Sequence, residues 1–423
     1  MSSNLLFGDC AELRSEKVDP KSSQESHYIG LEHIEQQTLS LAGHGYGSDV
    51  DSQKQRFYEG DVLFGKLRPY FRKVVIAPFD GICSTDIWVV KPKAGVDRNF
   101  LFYWMASEEF IASSMYASEG GRMPRAKWDW VCKFQSQYFT FDEQIAIGKI
   151  LRVLDQKVAA NKALSKTLED IAQTIFKSWF IDFDPVKAKM AGEKPAGMDD
   201  TTAELFPDSI MQSELGMIPS GWDVKPAADL FEVGIGRTPP RKEPQWFCKG
   251  TEGIPWVSIR DMGTFETYSH GTNEGLTQTA VDKFNVPVVP ENTVLMSFKL
   301  TMGKLCISDS DLVTNEAIAH FRISQNSPLN TFYTYHWLSN LDMGSLDSTS
   351  SIGTATNSGV IKQIRFLVPP QELLGNYHNK VSPIFSQLKL LRKQTTNLFL
   401  LRDSLLPRLI SGELQISEEM LAS

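Results

Sequence analysis

The sequence predicts an α+β protein: two α/β globules in tandem repeat, separated by a pair of long antiparallel helices that pack like a coiled coil. Three observations predict it. Short phrases recur in the same order at a shift close to 230, each copy closes with a long one-striped helical pattern, and an acidic segment punctuated by Pro and Gly joins the copies. The expected bounds are a first globule over 1–141, a long helix over 142–180, a linker over 181–221, a second globule over 222–370, a distal helix over 371–412 and a tail over 413–423.

The repeat comes first because it decides the architecture. Val62-Leu63-Phe64-Gly65-Lys66-Leu67 is echoed by Val294-Leu295-Met296-Ser297-Phe298-Lys299-Leu300, and each phrase follows a turn-like stretch, Glu59-Gly60-Asp61 or Pro290-Glu291-Asn292. Ser84-Thr85-Asp86-Ile87 returns as Thr314-Asn315-Glu316-Ala317, and Phe102-Tyr103-Trp104 as Phe332-Tyr333-Thr334, both at a shift of 230. Gly/Ser-rich loops follow, Ser118-Glu119-Gly120-Gly121 and Ser350-Ser351-Ile352-Gly353, then a short strand and a helix. Order and spacing persist over roughly 130 residues per copy, which chance matches do not sustain.

In the first helix Ile147, Leu151, Leu154, Val158, Leu168, Ile175 and Trp179 fall on steps of three, four or their sums. Val381, Phe385, Leu388, Leu391, Leu398, Leu405 and Leu409 do the same in the second. Helices of about 55 Å must lean on something, and the economical partner is the other copy. Both stripes turn polar at one place, Asn161 to Thr167 and Arg392 to Asn397. That is either a polar layer fixing register or a waist where a partner docks. Pro383 predicts a kink or a delayed start of the distal helix, and Pro407 with Gly412 its end.

The linker holds Asp184-Pro185, Pro195, Gly197, Pro207 and Pro219-Ser220-Gly221, and residues 195–232 carry eight acids against one base, Lys225. The net charge of −8 on 423 residues argues against a nucleic-acid binder, but this local excess accounts for most of it. The remaining chain is near neutral and has room for a basic face. With no apolar run of roughly 18 residues and no basic-then-apolar start, no membrane association is expected and a cytoplasmic location is. The five scattered cysteines suggest neither a disulfide framework nor a zinc site.

Catalytic patterns fail one by one. Glu232-Val233-Gly234-Ile235-Gly236 has the outline of a loop for S-adenosylmethionine or a dinucleotide, but Arg237-Thr238-Pro239-Pro240 cannot open the helix such a loop needs. The Asn-Pro-Pro-Tyr type of methylation motif, a phosphate-binding Gly-Lys-Ser/Thr loop and a Gly-x-Ser-x-Gly elbow are missing from the sequence. Pro207-Asp208 and Glu214-Leu215-Gly216 lack the lysine of a Mg²⁺ nuclease site, and His44 lies in a glycine-rich loop suited to exposure or DNA contact. No cofactor, metal or catalytic residue is expected.

What remains is surface fit to hold DNA. In copy one Lys66, Arg68, Arg72 and Lys73 lie beside Tyr70 and Phe71, and Arg122, Arg125 and Lys127 follow the Gly120-Gly121 loop. Copy two offers Arg237, Thr238, Arg241, Lys242, Arg260, Lys299, Lys304, Asn315 and Lys362. Basic residues near turns grip phosphates, and Arg pairs bidentately with a guanine edge.

Several longer phrases carry a family resemblance. They are Gly221-Trp222-Asp223 with Gly236-Arg237-Thr238-Pro239, Ile254-Pro255-Trp256-Val257, and Glu143-Gln144-Ile145 with its looser copy Gln371-Glu372-Leu373. The most specific are the run from Ile175-Phe176-Lys177-Ser178-Trp179-Phe180 to Asp184-Pro185-Val186 and the run from Leu401-Arg402-Asp403 to Ser411-Gly412-Glu413. Over nearly its whole length the chain resembles the DNA specificity subunit of type I restriction-modification systems. Copy one departs in lacking the Gly-Trp opening and the Gly-x-Thr-Pro loop. The resemblance implies a non-catalytic subunit whose two recognition domains each read half of a bipartite duplex target. The helix pair would set the spacing, two methyltransferase subunits would clamp the whole, and a motor and endonuclease subunit would join them. The rival readings are a repeat scaffold or DNA mimic, favoured by the acidic segment, and a self-contained restriction or methylation enzyme.

Overall fold

The computed structural model describes residues 4–116, 123–250, 252–299, 301–342 and 358–417, and its contacts divide the chain into two compact units. Unit 1 is Met1–Asn161 with Gln394–Ser423, and unit 2 is Lys162–Lys393. The division falls within both long helices, at the polar stretch where their apolar stripes lapse.

Unit 1 contains β1 (Ala11–Leu13), β2 (His27–Ile29), β3 (Gly45–Tyr46), β4 (Lys54–Phe57), β5 (Val62–Gly65), β6 (Val74–Ile76), β7 (Gly81–Cys83), β8 (Ile87–Pro92) and helix α1 (Arg98–Ala106). One antiparallel sheet has the order β1-β8-β5-β6, with Trp88 opposite Phe64 and Val90 opposite Val62. A second sheet runs Lys17–Val18, β4, β7, β2, β3, and its β2 and β7 are parallel. The long helix α2 (Phe141–Phe180) continues from unit 1 into unit 2.

Unit 2 contains β9 (Phe231–Ile235), β10 (Ile254–Val257), β11 (Glu274–Leu276), β12 (Val294–Ser297), β13 (Leu305–Ile307), β14 (Val313–Thr314), β15 (Ile318–Ile323), helix α3 (Thr331–Ser339) and the first part of the long helix α4 (Gln371–Ile410). Its first sheet has the order β9-β15-β12-β13, the same topology as the first sheet of unit 1. Its second sheet runs Phe247–Lys249, β11, β10, β14, with β10 and β14 parallel. The repeated phrases have repeated places. Val62-Leu63-Phe64 and Val294-Leu295-Met296 are buried central strands, and Phe102-Tyr103-Trp104 and Phe332-Tyr333-Thr334 lie in α1 and α3. Ser84–Asp86 and Thr314–Glu316 lie at the turns that carry the chain from one sheet to the other. The Gly/Ser-rich phrases at 118–121 and 350–353 lie outside the described residues.

Each unit buries its own stretch of the helix pair. In unit 1 Ile147 and Leu151 join Leu406, Leu409 and Ile410 around Phe7, Phe100, Trp104 and Phe110. In unit 2 Phe176, Trp179 and Phe180 pack with Tyr377, Val381 and Phe385 around Trp222, Phe231 and Tyr333. Asn161 donates to Gln394 at 3.5 Å, and Arg402 meets Asp155 at 3.0 Å. The contacting numbers fall on one helix as they rise on the other, so the stretches are antiparallel. Thr140 and Glu143 form a reciprocal cap at the start of α2, with bonds of 2.8 and 3.3 Å. Buried Gln144 accepts from the Asp97 amide at 3.0 Å and donates to the Phe139 carbonyl at 3.1 Å. This explains the Glu143-Gln144-Ile145 phrase: one residue caps the helix and the next anchors it to α1.

Two expectations change. Pro383 neither delays nor ends α4, which runs unbroken from Gln371 to Ile410. Pro383 and Asn379 are both exposed, so the carbonyl that loses its bond faces water, where the loss is cheap. Pro407 also lies inside the helix, and the stop is Gly412, whose φ of 73° opens the left-handed turn. The acidic segment is folded: it forms helices Asp184–Met190 and Asp200–Glu204 and a hairpin of Ile210–Ser213 with Gly216–Pro219, and Val186, Phe206 and Ile218 enter the core of unit 2.

Candidate nucleic-acid interface

In unit 1 three distant segments meet at the turn after β7. The Lys66 amide donates to the Asp86 carbonyl and the Ala126 amide to the Lys66 carbonyl, both at 2.9 Å, while the Arg68 amide donates to the Pro124 carbonyl at 2.7 Å. Leu67 and Arg125 form an antiparallel bridge. This lattice of backbone bonds gathers Lys66, Arg68, Arg125 and Lys127 into one basic rim. Tyr70 stands beside it, 44% exposed, with its ring edge-on to Phe71 at 4.6 Å. Arg125 is held by Asp86 at 3.1 Å, and that hydrogen bond is the first cause raising its pKa.

Arg72 and Lys73 do not join the rim. Arg72 is buried, meets Asp403 at 3.7 Å, and burial lowers its pKa. The Lys73 ammonium donates to the Leu31 carbonyl, and burial again lowers its pKa. φ values of 52° at Arg68 and 50° at Arg72 turn the chain twice within five residues. Arg122 lies outside the described residues.

Unit 2 repeats the construction. The Arg237 amide donates to the Thr314 carbonyl at 2.9 Å, the Asn315 amide to the Val257 carbonyl at 3.0 Å, and the Phe298 amide to the Ala317 carbonyl at 3.0 Å. Arg237, Thr238, Asn315 and Lys299 therefore share the turn after β14, with Arg260 three residues beyond Val257. Gly236 makes the approach possible: a Cβ there would stand 2.1 Å from the Thr314 carbonyl oxygen. The apparent Gly-x-Gly loop is thus the end of strand β9 and a close crossing of chains. Thr238 donates to Glu316, and Asn315 accepts from the Ala317 amide at 3.0 Å. Lys304 lies where the loop beyond β12 closes, its amide donating to the Ser297 hydroxyl at 3.0 Å.

Arg241 is the most constrained cation of the set. Its guanidinium lies 4.4 Å from the ring centroids of both Phe247 and Trp256 and bonds both Glu274 oxygens at 2.8 Å. Lys242 is exposed beside it. Lys362 lies elsewhere, lining a cavity of about 400 Å³ with Phe231, Glu232, His320 and Arg322. Sequence reasoning missed Asp86, Glu316 and the ring pair under Arg241. The two acids have a signal in the sequence, since both stand in the echoed phrase. The ring pair had none, because Phe247 and Trp256 meet only through sheet pairing.

Among the described residues no group of three or more His, Cys, Asp or Glu side chains is placed to hold a metal, and no helix is long and apolar enough to cross a membrane.

Residues 219–391 match the family described as the type I restriction modification DNA specificity domain. The chain is 26% identical over 409 residues to the type I restriction enzyme HindI specificity subunit of Haemophilus influenzae, covering 85% of this chain and 88% of that one. It is 26% identical over 334 residues to the MjaIX specificity subunit of Methanocaldococcus jannaschii, covering 77% and 71%. The crystal structure of a type I restriction-modification S subunit from M. genitalium shares the fold, with a TM-score of 0.58 at 13% identity and coverage of 97% and 96%. With its duplicated units and paired helices, the chain is similar over most of its length to type I restriction-modification specificity subunits, and residues 219–391 match their DNA specificity domain.

Proposed function

We propose that each unit reads one half of a bipartite duplex target through the basic rim at its inter-sheet turn. The observation that carries this is the repetition: two units of like topology each gather cations from separate segments at the same turn, Lys66, Arg68, Arg125 and Lys127 in one, Arg237 and Lys299 in the other, with Arg260 close in sequence to Val257, which bonds that turn. The resulting rims suit phosphate contacts that position the protein, with base edges read between them. The helix pair is the spacer in this reading, since each helix contributes residues to both units. Two methyltransferase subunits dock on it, and a motor and endonuclease subunit completes the complex. Exposed Val153, Leu400 and Leu401 on the helix stretches of unit 1 are apolar surface of the kind a partner covers. The relatives' names support a subunit that selects sequence and leaves chemistry to its partners.

A scaffold or DNA mimic is not favoured by the acidic segment, which is folded into unit 2 and where several charges have structural partners. Asp199 caps a helix, accepting from the Thr202 amide at 2.8 Å, while Glu214 pairs with Arg365 at 3.1 Å and Glu232 with Arg322 at 3.5 Å. The test is methylation mapping with the chain in complex with its methyltransferase subunits. Lys66→Glu with Arg68→Glu degrades reading of one half-site, and Arg237→Glu with Arg260→Glu degrades the other. Equal loss at both halves from either pair refutes the division of labour.

A further inference from the structure

The two rims contain an acid where phosphate binding alone would place none. Asp86 and Glu316 occupy equivalent positions, each closing the turn that leaves one sheet for the other. Neither carboxylate builds its turn. The Asp86 amide donates to the Ser84 hydroxyl at 3.2 Å, the Ile87 amide to the Ser84 carbonyl at 2.9 Å, and the Ala317 amide to the Asn315 side chain at 3.0 Å. Each acid is instead met by a residue from an unrelated loop, Arg125 in unit 1 and Thr238 in unit 2. Different loops converge on the same acid, which points to the acid as the common part. Both remain open to solvent, the Asp86 side chain at 28% and Glu316 in the exposed class.

A carboxylate repels phosphate and weakens the counterion-release term that drives DNA binding. Its chemistry is acceptor-only, so the base-edge groups it can bind are amino donors: guanine N2 in the narrow minor groove, and cytosine N4 and adenine N6 in the major groove, the one wide enough to admit elements of a protein. Arg125 and Thr238 supply what such a reader needs, a donor that fixes the carboxylate's orientation while leaving an acceptor lone pair free. We infer that Asp86 and Glu316 are specificity-determining residues, each accepting a hydrogen bond from the exocyclic amino group of one base, cytosine first, in the half-site its unit reads. The inference rests on the proposed DNA-reading role of the two rims.

The test is selection from a randomised duplex pool with the full-length chain in complex with its methyltransferase subunits, comparing wild type with Asp86→Asn, Glu316→Gln and Arg125→Ala. The two amide variants change one oxygen to nitrogen on a solvent-facing side chain, and thermal unfolding checks that each remains folded. Wild type is expected to enrich a split motif. Asp86→Asn then relaxes one C or A position in one half, with discrimination there falling about 5- to 100-fold. Glu316→Gln does the same at one position of the other half. A cytosine at the relaxed position supports N4 recognition as stated, and an adenine assigns the bond to N6. An unchanged motif in both amide variants, or a loss spread evenly over all positions, overturns the inference while leaving the reading role intact. A position relaxed by Arg125→Ala but left intact by Asp86→Asn makes Arg125 the reader and Asp86 at most its positioning residue, and overturns it too. A wild-type complex that enriches no motif overturns the reading role itself.

Discussion

Arg402 of α4 offers the most direct test of how unit 1 is held together. Its guanidinium is 1% exposed and donates to Asp155 at 3.0 Å, to Asp403 at 3.0 and 2.8 Å, and to the carbonyls of Gln37 and Thr38 at 3.3 Å each. Burial alone would lower its pKa, but Asp155 and Asp403 together raise it. Arg402→Met keeps the volume and removes five bonds. Asp155, whose side chain is 14% exposed, then loses its ion-pair partner and keeps the hydrogen bond from the Tyr103 hydroxyl at 2.6 Å. Breaking a buried pair this way costs about 3–5 kcal/mol. In a unit of this size about 2–4 °C of melting temperature goes with each kcal/mol, so a fall of roughly 10 °C is expected. Calorimetry measures it, and hydrogen exchange places the loosened amides in 141–161 and 394–410 and not in the sheets of unit 2. Adding Asp155→Asn, which keeps an acceptor for Tyr103 without the charge, recovers part of the loss. A fall below about 3 °C, or a double variant no better than the single, refutes the buried-charge account.

Gly148→Ala lowers stability by about 1–3 kcal/mol although alanine is the better helix former, because the new Cβ stands 2.8 Å from both the Asn99 Cβ and an Asp97 carboxylate oxygen. A gain in denaturant midpoint would contradict the close packing of α2 on α1. Burial lowers the pKa of His270 and His320 to about 4 and of His336 to about 3, and all three are in unit 2. Their folded values lie below the unfolded value near 6.5, so the stability from holding them neutral is complete above that pH. It drains as pH falls towards 4, by at most about 1.4 kcal/mol per pH unit for each. Urea titrations at pH 7 and pH 5 with His336→Gln as control measure this, and equal pH dependence in the variant would rule out His336 as a contributor.

Much of the fold was legible because duplication writes the same physics twice. Val62 and Val294 open central strands after turns with Gly60 and Asn292 in left-handed conformations, and that local pattern survives without knowledge of partners. The bounds of α2 were readable to one residue at the start, since Thr140 and Glu143 cap it through neighbours in sequence. Pro383 misled because its effect depends on whether Asn379 faces water, a property of the packed helix and not of the residue. At the rims, Lys66 and Arg125 could be nominated from charge and nearby turns, but nothing in the string separated Arg68 from Arg72. Arg72 goes inside to meet Asp403, far along the chain, while the Arg68 backbone is tied to Pro124 at the rim.

The sequence by itself determined that this chain is two copies of one design with a long helix after each, and that it carries the phrases of a type I specificity subunit. Periodicity, turn chemistry and repetition are local, and local signals survive in a one-dimensional string. Only the tertiary structure decided which cations stand together, that an acid is set among them in each copy, that Arg241 is held between two rings and a carboxylate, and that Arg402 is an internal tie. Each of those depends on segments tens to hundreds of residues apart being brought within 3 to 5 Å, and side-chain burial and chain crossings, not composition, govern that.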